Sequence, residues 1–207
     1  TENVEDVNCM FAACSGLKSL KAGKLVSAKT TDTNRMFTLC GQLEELDVSK
    51  FDTSNVTNMY LMFNACNALT QLDVSGFQTG NVVNMHCVFG GCYKLTTLDV
   101  SGFDTRNVTG MSNMFSNCSA LTKLDVSGFD TGNVTNMTGM FSGCAGLTEL
   151  NVSGFRTEKV AGMNSMFKKC SNLTSLDLGN FDMENVESSI ADMFNQCTSI
   201  QRIRVFK

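Results

Sequence analysis

The sequence predicts an α/β repeat: a solenoid of about eight 26-residue strand–turn–short-helix units with a parallel sheet. Three observations carry that prediction. Phe51, Phe77, Phe103, Phe129, Phe155 and Phe181 recur every 26 residues, and a second column runs Phe11, Phe37, Phe63, Phe89, Phe115, Phe141, Phe167 and Phe194, with one extra residue before the last. Eight of the ten cysteines form a third column: Cys14, Cys40, Cys66, Cys92, Cys118, Cys144, Cys170 and Cys197. Twelve of the 13 methionines fall into two more columns, such as Met111/Met114 and Met137/Met140. A fixed period of this length is the mark of stacked units, none of which can bury its apolar side without neighbours.

Within one unit the elements follow in order. In LTKLDVS, Leu124 and Val126 alternate with Lys123, Asp125 and Ser127, which predicts a short strand with one buried face. SGFDTGN is turn chemistry: Gly128 and Gly132 tolerate positive φ, and Asp130 and Asn133 bond nearby backbone. NVTNMTGMFSGCAGL then spaces Val134, Met137, Met140, Phe141, Cys144 and Leu147 at three- and four-residue steps, which predicts a helix of two or three turns beginning near Thr135 or Asn136. The whole chain, 1–207, reads as one repeat solenoid, with an irregular second unit at 15–40, regular units over 41–180 and a last unit at 181–207 that gains a residue within NVESSIADMF. In the second unit Leu25 replaces the first Phe and Thr33 the first Met, which predicts an irregular loop.

The pattern LxxLDVSxFDTxNVTxMxxMFxxC resembles the 26-residue repeat of bacterial surface proteins, a branch related to the BspA-like leucine-rich repeats, over essentially all of the chain. The resemblance implies a leucine-rich-repeat-type solenoid, extracellular or on the cell surface, and often engaged in adhesion. It supplies no catalytic residues to carry over.

Composition narrows the partners. A formal net charge of −4 and a pI near 5.0 argue against nucleic acid, which needs clustered Lys and Arg. No run of about 18 apolar residues is present to span a membrane. The chain starts in mid-repeat at TENVEDVNCMFAAC and stops just after a strand at QRIRVFK, with no distinct capping segment. That raises two expectations: caps lost from a longer protein, or molecules stacking end to end. Lys21, Arg202 and Arg204 on the terminal strands weigh slightly against stacking, because edge charges discourage pairing.

Ten cysteines suggest a disulfide framework, but a column of equivalent positions on the apolar stripe reads as buried, reduced thiols behaving as small hydrophobes. Oxidation between some neighbours and a metal row are the alternatives, and the metal reading lacks CxxC or Cys/His clusters. Cys9 and Cys87 occupy a different, outward register and lie too far apart to bridge each other. His86 is the sole histidine, so any Ser/His or Cys/His chemistry must use it; it reads as a surface residue. GxxxxGK[ST], HExxH and GxSxG are absent, and no catalytic residue or enzyme activity is assigned. Asn55, Asn107, Asn117, Asn133, Asn136, Asn151 and Asn172 begin N-x-[ST]; a backbone-bonding role is favoured over glycan attachment.

The candidate site is the outward strand face. One column holds Asp47, Asp73, Asp99, Asp125, Asn151 and Asp177, flanked by Glu45, Lys123 and Glu149. Stacked like charges need an offset from neighbouring hydroxyls, solvent or a cation, for which Ca²⁺ is the plausible but disfavoured ion. The expected function is a non-catalytic binding or adhesion module whose polar acidic face meets a protein or glycan on another surface. The alternative is a structural subunit that self-assembles end to end with copies of itself into a filament. No resident cofactor or metal is expected.

Overall fold

The computed structural model describes residues 3–186 and 190–205. The chain winds as a solenoid, and residues 26 apart stack on one another along its length. On one side lies the segment expected to be a strand. Here β1 (Ser19–Lys21) pairs in parallel with β2 (Glu45–Asp47), placing Leu20 beside Leu46. Near the other end β3 (Ser175–Asp177) pairs in parallel with β4 (Arg202–Arg204). Between these two sheets, the described residues of this side form one bridge, Gln71 to Thr97.

The other side of each coil departs from expectation. No α-helix occurs among the described residues, so the short-helix part of the predicted unit is corrected. Instead an uninterrupted series of parallel bridges runs Asp6, Asp32, Asn58, Asn84, Gly110, Asn136, Gly162. In the coil around Phe141, the amides of Met137, Gly139, Phe141 and Gly143 donate across to the carbonyls of Gly162, Asn164, Met166 and Lys168 at 2.8, 3.0, 2.9 and 2.7 Å. The intervening amides of Met140, Ser142 and Cys144 reach back to Met137, Gly139 and Phe141 at 3.1, 3.0 and 3.1 Å. An α-helix would send every amide to the carbonyl four residues back. Here alternate amides leave for the neighbouring coil, and the rest close three-residue turns.

This ribbon needs two left-handed residues per coil, four apart. Cys9/Ala13, Arg35/Leu39, Leu61/Ala65, Asn113/Asn117, Ser165/Lys169 and Asp192/Gln196 are such pairs, all with φ between 53° and 64°. Cys87 pairs with Gly91, and Gly139 with Gly143. Left-handed backbone costs an L-residue roughly 1–2 kcal/mol, so the stacking around these corners must offset it.

The core supplies that offset. Phe37, Phe63, Phe89, Phe115, Phe141 and Phe167 are fully buried, and adjacent rings stack with centroids 5.7–5.8 Å apart and planes within 8° of parallel. Leu124, Val126, Val134, Met137, Met140, Cys144 and Leu147 are buried around them, as the sequence indicates. Each such aliphatic or aromatic burial stabilises by about 1.5–3 kcal/mol. At the turn between the two sides, a column of buried threonines ties successive coils. Thr131 Oγ1 donates to the Arg156 carbonyl at 2.9 Å and accepts the Arg156 amide at 2.7 Å. Thr53, Thr79 and Thr157 do the same with Gln78, Asp104 and Asp182.

Residues 15–40 stack in register with the rest. Asp32 is part of the continuous ladder, and the buried Thr33 hydroxyl donates to the Asn58 carbonyl at 3.1 Å. The strand-to-ladder turn of this unit differs from those of its neighbours in the left-handed Gly23, at φ 56°. In the last unit, residues 187–189, within NVESSIADMF, and 206–207 lie outside the described residues. The ladder resumes beyond the first of these segments, where Ser165 donates to Ala191 at 3.0 Å and Phe167 stacks on Phe194 at 5.8 Å.

Candidate interaction face

The strand side carries the residues singled out from the sequence. Asp47, Asp73, Asp99, Asp125 and Asn151 are exposed and Asp177 half-buried, all in one line along the solenoid. Each folds the chain back on itself. Asp99 Oδ1 accepts the Ser101 amide at 3.0 Å and its hydroxyl at 2.7 Å, and Asp125 accepts the same pair from Ser127 at 2.9 and 2.7 Å. Asp73 repeats this with Ser75, Asp47 accepts the Ser49 amide, and Asp177 accepts that of Gly179. Asn151 serves as well, taking the Ser153 amide at 3.1 Å and hydroxyl at 2.8 Å.

In Asp47, Asp73, Asp99 and Asp125 these bonds consume one carboxylate oxygen and leave the other unused by the turn. The Ser75, Ser101 and Ser127 side chains, with their amides, hold the carboxyls of Asp73, Asp99 and Asp125 below the usual range; the neighbouring Asp charges pull Asp73 and Asp125 the other way. The row therefore stays ionised at neutral pH. At its ends it meets cations: Lys21 lies opposite Asp47 across β1–β2, and Arg204 Nη1 donates to Asp177 Oδ2 at 3.1 Å across β3–β4.

The flanking column is mixed. Ser19 donates to Glu45 at 3.2 Å, while Lys123 and Glu149 are exposed. Lys123, Asp125, Glu149, Asn151 and Asp177 line one shallow groove together with Thr122, Thr148 and Thr174, and a second, over Thr96–Asp99, continues it. The structure thus brings Asp99 through Asp177 onto one furrowed surface and sets Glu45 and Asp47 in a separate sheet at one end. One unused carboxylate oxygen on a coil does not make a chelate, and among the described residues no group of three or more His, Cys, Asp or Glu side chains is arranged to hold a metal ion.

The cysteine column runs through the core. Each thiol from Cys40 to Cys197 donates to the Phe carbonyl of the preceding coil: Cys118 to Phe89 at 3.1 Å, Cys144 to Phe115 at 3.0 Å, Cys170 to Phe141 at 3.1 Å. All ten cysteines are free; Cys14 is exposed and the other seven of the column are buried. Burial pushes Cys92 and Cys170 up to about 12 and raises Cys66, Cys118 and Cys144 as well, keeping them as proton-bearing donors. Cys9 and Cys87 sit at left-handed corners, away from this column.

Several N-x-[ST] asparagines bond to backbone of the previous coil. Asn55, Asn107 and Asn133 donate to the carbonyls of Ala28, Gly80 and Arg106 at 2.6–2.8 Å. Asn136 instead accepts the Thr138 amide at 2.9 Å.

His86 is more involved than its sequence position suggests. It is half-buried, its Nδ1 hydrogen-bonds the Ser112 hydroxyl, and its ring meets Tyr60 edge-on at 6.3 Å. Burial lowers its pKa from the ordinary value, with Ser112 opposing. Arg35 lies over the Tyr60 ring at 4.9 Å. The signal for this cluster was present in the sequence: Tyr60, His86 and Ser112 are 26 residues apart.

A family model described as "Mycoplasma protein of unknown function, DUF285" matches residues 5–124 and again 94–205, in line with the bacterial repeat resemblance carried by LxxLDVSxFDTxNVT. No curated protein matches. Similar solved structures include a leucine-rich cell surface protein from Faecalibacterium prausnitzii (15% identity, 96% of this chain and 68% of that one, TM-score 0.36). A leucine-rich repeat protein from Bacteroides ovatus has 15% identity over 96% of this chain and 63% of its own, with TM-score 0.31. The functional domain of InlJ from Listeria monocytogenes, described as including a cysteine ladder, has 18% identity over 91% of this chain and 46% of its own, with TM-score 0.30.

Proposed function

The chain belongs to the DUF285 family, and from that premise we propose that it is a non-catalytic binding and adhesion module, extracellular or at the cell surface. In this reading a solenoid of about eight coils presents its polar acidic face to a protein or glycan on another surface. The observation that carries the proposal is the free carboxylate oxygen of Asp73, Asp99 and Asp125, which neither the core nor the turn consumes. An ionised row whose own column meets cations at its ends, with Lys123 the one cation flanking its middle, attracts basic or hydroxyl-rich surfaces and repels acidic ones.

Asn151 supplies the means to test it, because asparagine makes the same turn without the charge. In the variant D73N/D99N/D125N the fold is expected to persist while retention on an immobilised lysine-rich peptide drops several-fold and loses its salt dependence. Equal retention of wild type and variant overturns the acidic-face reading. Light scattering on the same samples separates it from end-to-end assembly, which requires species larger than the monomer that grow with concentration.

A further inference from the structure

On the lateral side, one column of the repeat departs from its small polar character. It reads Asn34, Tyr60, His86, Ser112, Thr138, Asn164. The left-handed corners align it: the amides of Arg35, Leu61 and Cys87 donate to the carbonyls of Tyr60, His86 and Ser112 at 2.8, 2.9 and 2.9 Å. Several of these side chains then reach the next coil along the solenoid axis. Arg35 covers Tyr60, Tyr60 meets the edge of His86, His86 bonds Ser112, and Thr138 Oγ1 donates to Asn164 Oδ1 at 2.9 Å. Gly110 keeps the place open: a Cβ there would stand 2.3 Å from His86 Nε2.

Nothing in the stacking requires these rings. The homologous coils are built with Ser112, Thr138 and Asn164 at the same position, and all of them remain half-exposed. Arg35 is exposed and, among the described residues, makes no ion pair; its guanidinium carbon lies over the Tyr60 ring, 4.9 Å from the centroid. A planar fork on an aromatic face is suited to bidentate capture of a carboxylate. Beyond it follow aromatic rings and then hydroxyl and amide groups, one per coil at constant spacing. A ligand that itself repeats, with a carboxylate, apolar ring faces and hydroxyls, fits that order better than the irregular surface of a folded protein.

We infer that the strip from Arg35 to Asn164 is a binding site for an acidic oligosaccharide. A uronate carboxylate pairs with Arg35, sugar C–H groups rest against the exposed rims of Tyr60 and His86, and sugar hydroxyls exchange hydrogen bonds with Ser112, Thr138 and Asn164. The site is separate from the acidic strand face and does not depend on it.

The test is an NMR titration of the whole chain with three probes: a hyaluronan hexasaccharide, the neutral N-acetylglucosamine hexamer, and hexaglutamate. The hyaluronan probe is expected to bind and to shift the amides of Tyr60, His86 and Ser112. R35Q and Y60A are each expected to weaken it by roughly tenfold, the scale of a lost charge-assisted pair. The variant D73N/D99N/D125N is expected to bind it as wild type does, so that failure here and failure of the strand-face reading are distinguishable. Absence of hyaluronan binding overturns the inference. So do equal binding of the neutral hexamer, equal binding of hexaglutamate, and unchanged affinity in R35Q, whose exposed side chain leaves folding intact if Y60A does not.

Discussion

The two sides of each coil exchange the roles that their sequences suggest. LTKLDVS, with its strict alternation, forms regular strands only in the end sheets β1–β2 and β3–β4. NVTNMTGMFSGC, with helical spacing, carries the ladder that runs without a break from Asp6 to Gly162. The difference lies in what faces what. In the end sheets Lys21 opposes Asp47 and Arg204 opposes Asp177, whereas Asp73, Asp99 and Asp125 in the middle stack on like charges, which disfavours close cross-strand pairing. On the lateral side no row of like charges stacks from coil to coil in the middle of the ladder, where Asn58, Asn84, Gly110, Asn136 and Gly162 follow one another, and alternate amides cross to the next coil. Periodicity reports which residues are inside; it does not report where the amides go.

The largest effect should come from the lateral core. Phe141→Ala removes a ring that stacks on Phe115 and Phe167, each at 5.8 Å, and should cost about 3–5 kcal/mol in urea unfolding. A loss below 1 kcal/mol would show that the ring stack is not what holds the coils together. A smaller change of opposite sign tests the corners. Lys169 has φ 61° and an exposed side chain, so Lys169→Gly should raise stability by about 1 kcal/mol, while Leu124→Gly on the strand side should lower it. Destabilisation by Lys169→Gly would mean that the left-handed corner is not strained.

The smallest effect concerns the charged row and appears as a pH dependence. The carboxyls of Asp73, Asp99 and Asp125 are depressed by their serine bonds, so the stability they add is fully present above the unfolded carboxyl pKa of about 3.9. It is lost as pH falls through the lower folded values. Thermal melts of D73N/D99N/D125N should start slightly below wild type at pH 7, lose part of the decline between about pH 4 and 2, and converge with wild type in acid. Identical acid limbs would place the acid sensitivity in other carboxyls.

Much of this was legible beforehand. The columns through Phe141, Cys144, Met137 and Leu124 gave the buried set and the stacking register, and Asp125 was correctly outward. The spacing does not distinguish a helix here, because Met137, Met140, Phe141 and Cys144 take the same three- and four-residue steps in a ribbon of turns. Arg35, Leu39 and Leu61 concealed the left-handed corners, since none is a residue type that advertises positive φ. Thr131 looked like turn chemistry, yet it is 1% exposed and bonds both backbone groups of Arg156. The second use of Asp125, as its own turn's acceptor, follows from Ser127 two residues on, a local signal that the repeat pattern overshadowed.

The uniform ring stack has a consequence for how such a chain changes over generations. Phe89, Phe115, Phe141 and Phe167 meet successive neighbours at the same 5.8 Å, and the amides of each coil are answered by the next in the same way. Loss or duplication of one whole 26-residue unit would therefore preserve the amide pairing and ring spacing of the coils on either side. The molecule behaves as a ruler graduated in coils, and its reach from one end to the other is a heritable quantity that shifts in single steps while every cross-section stays the same.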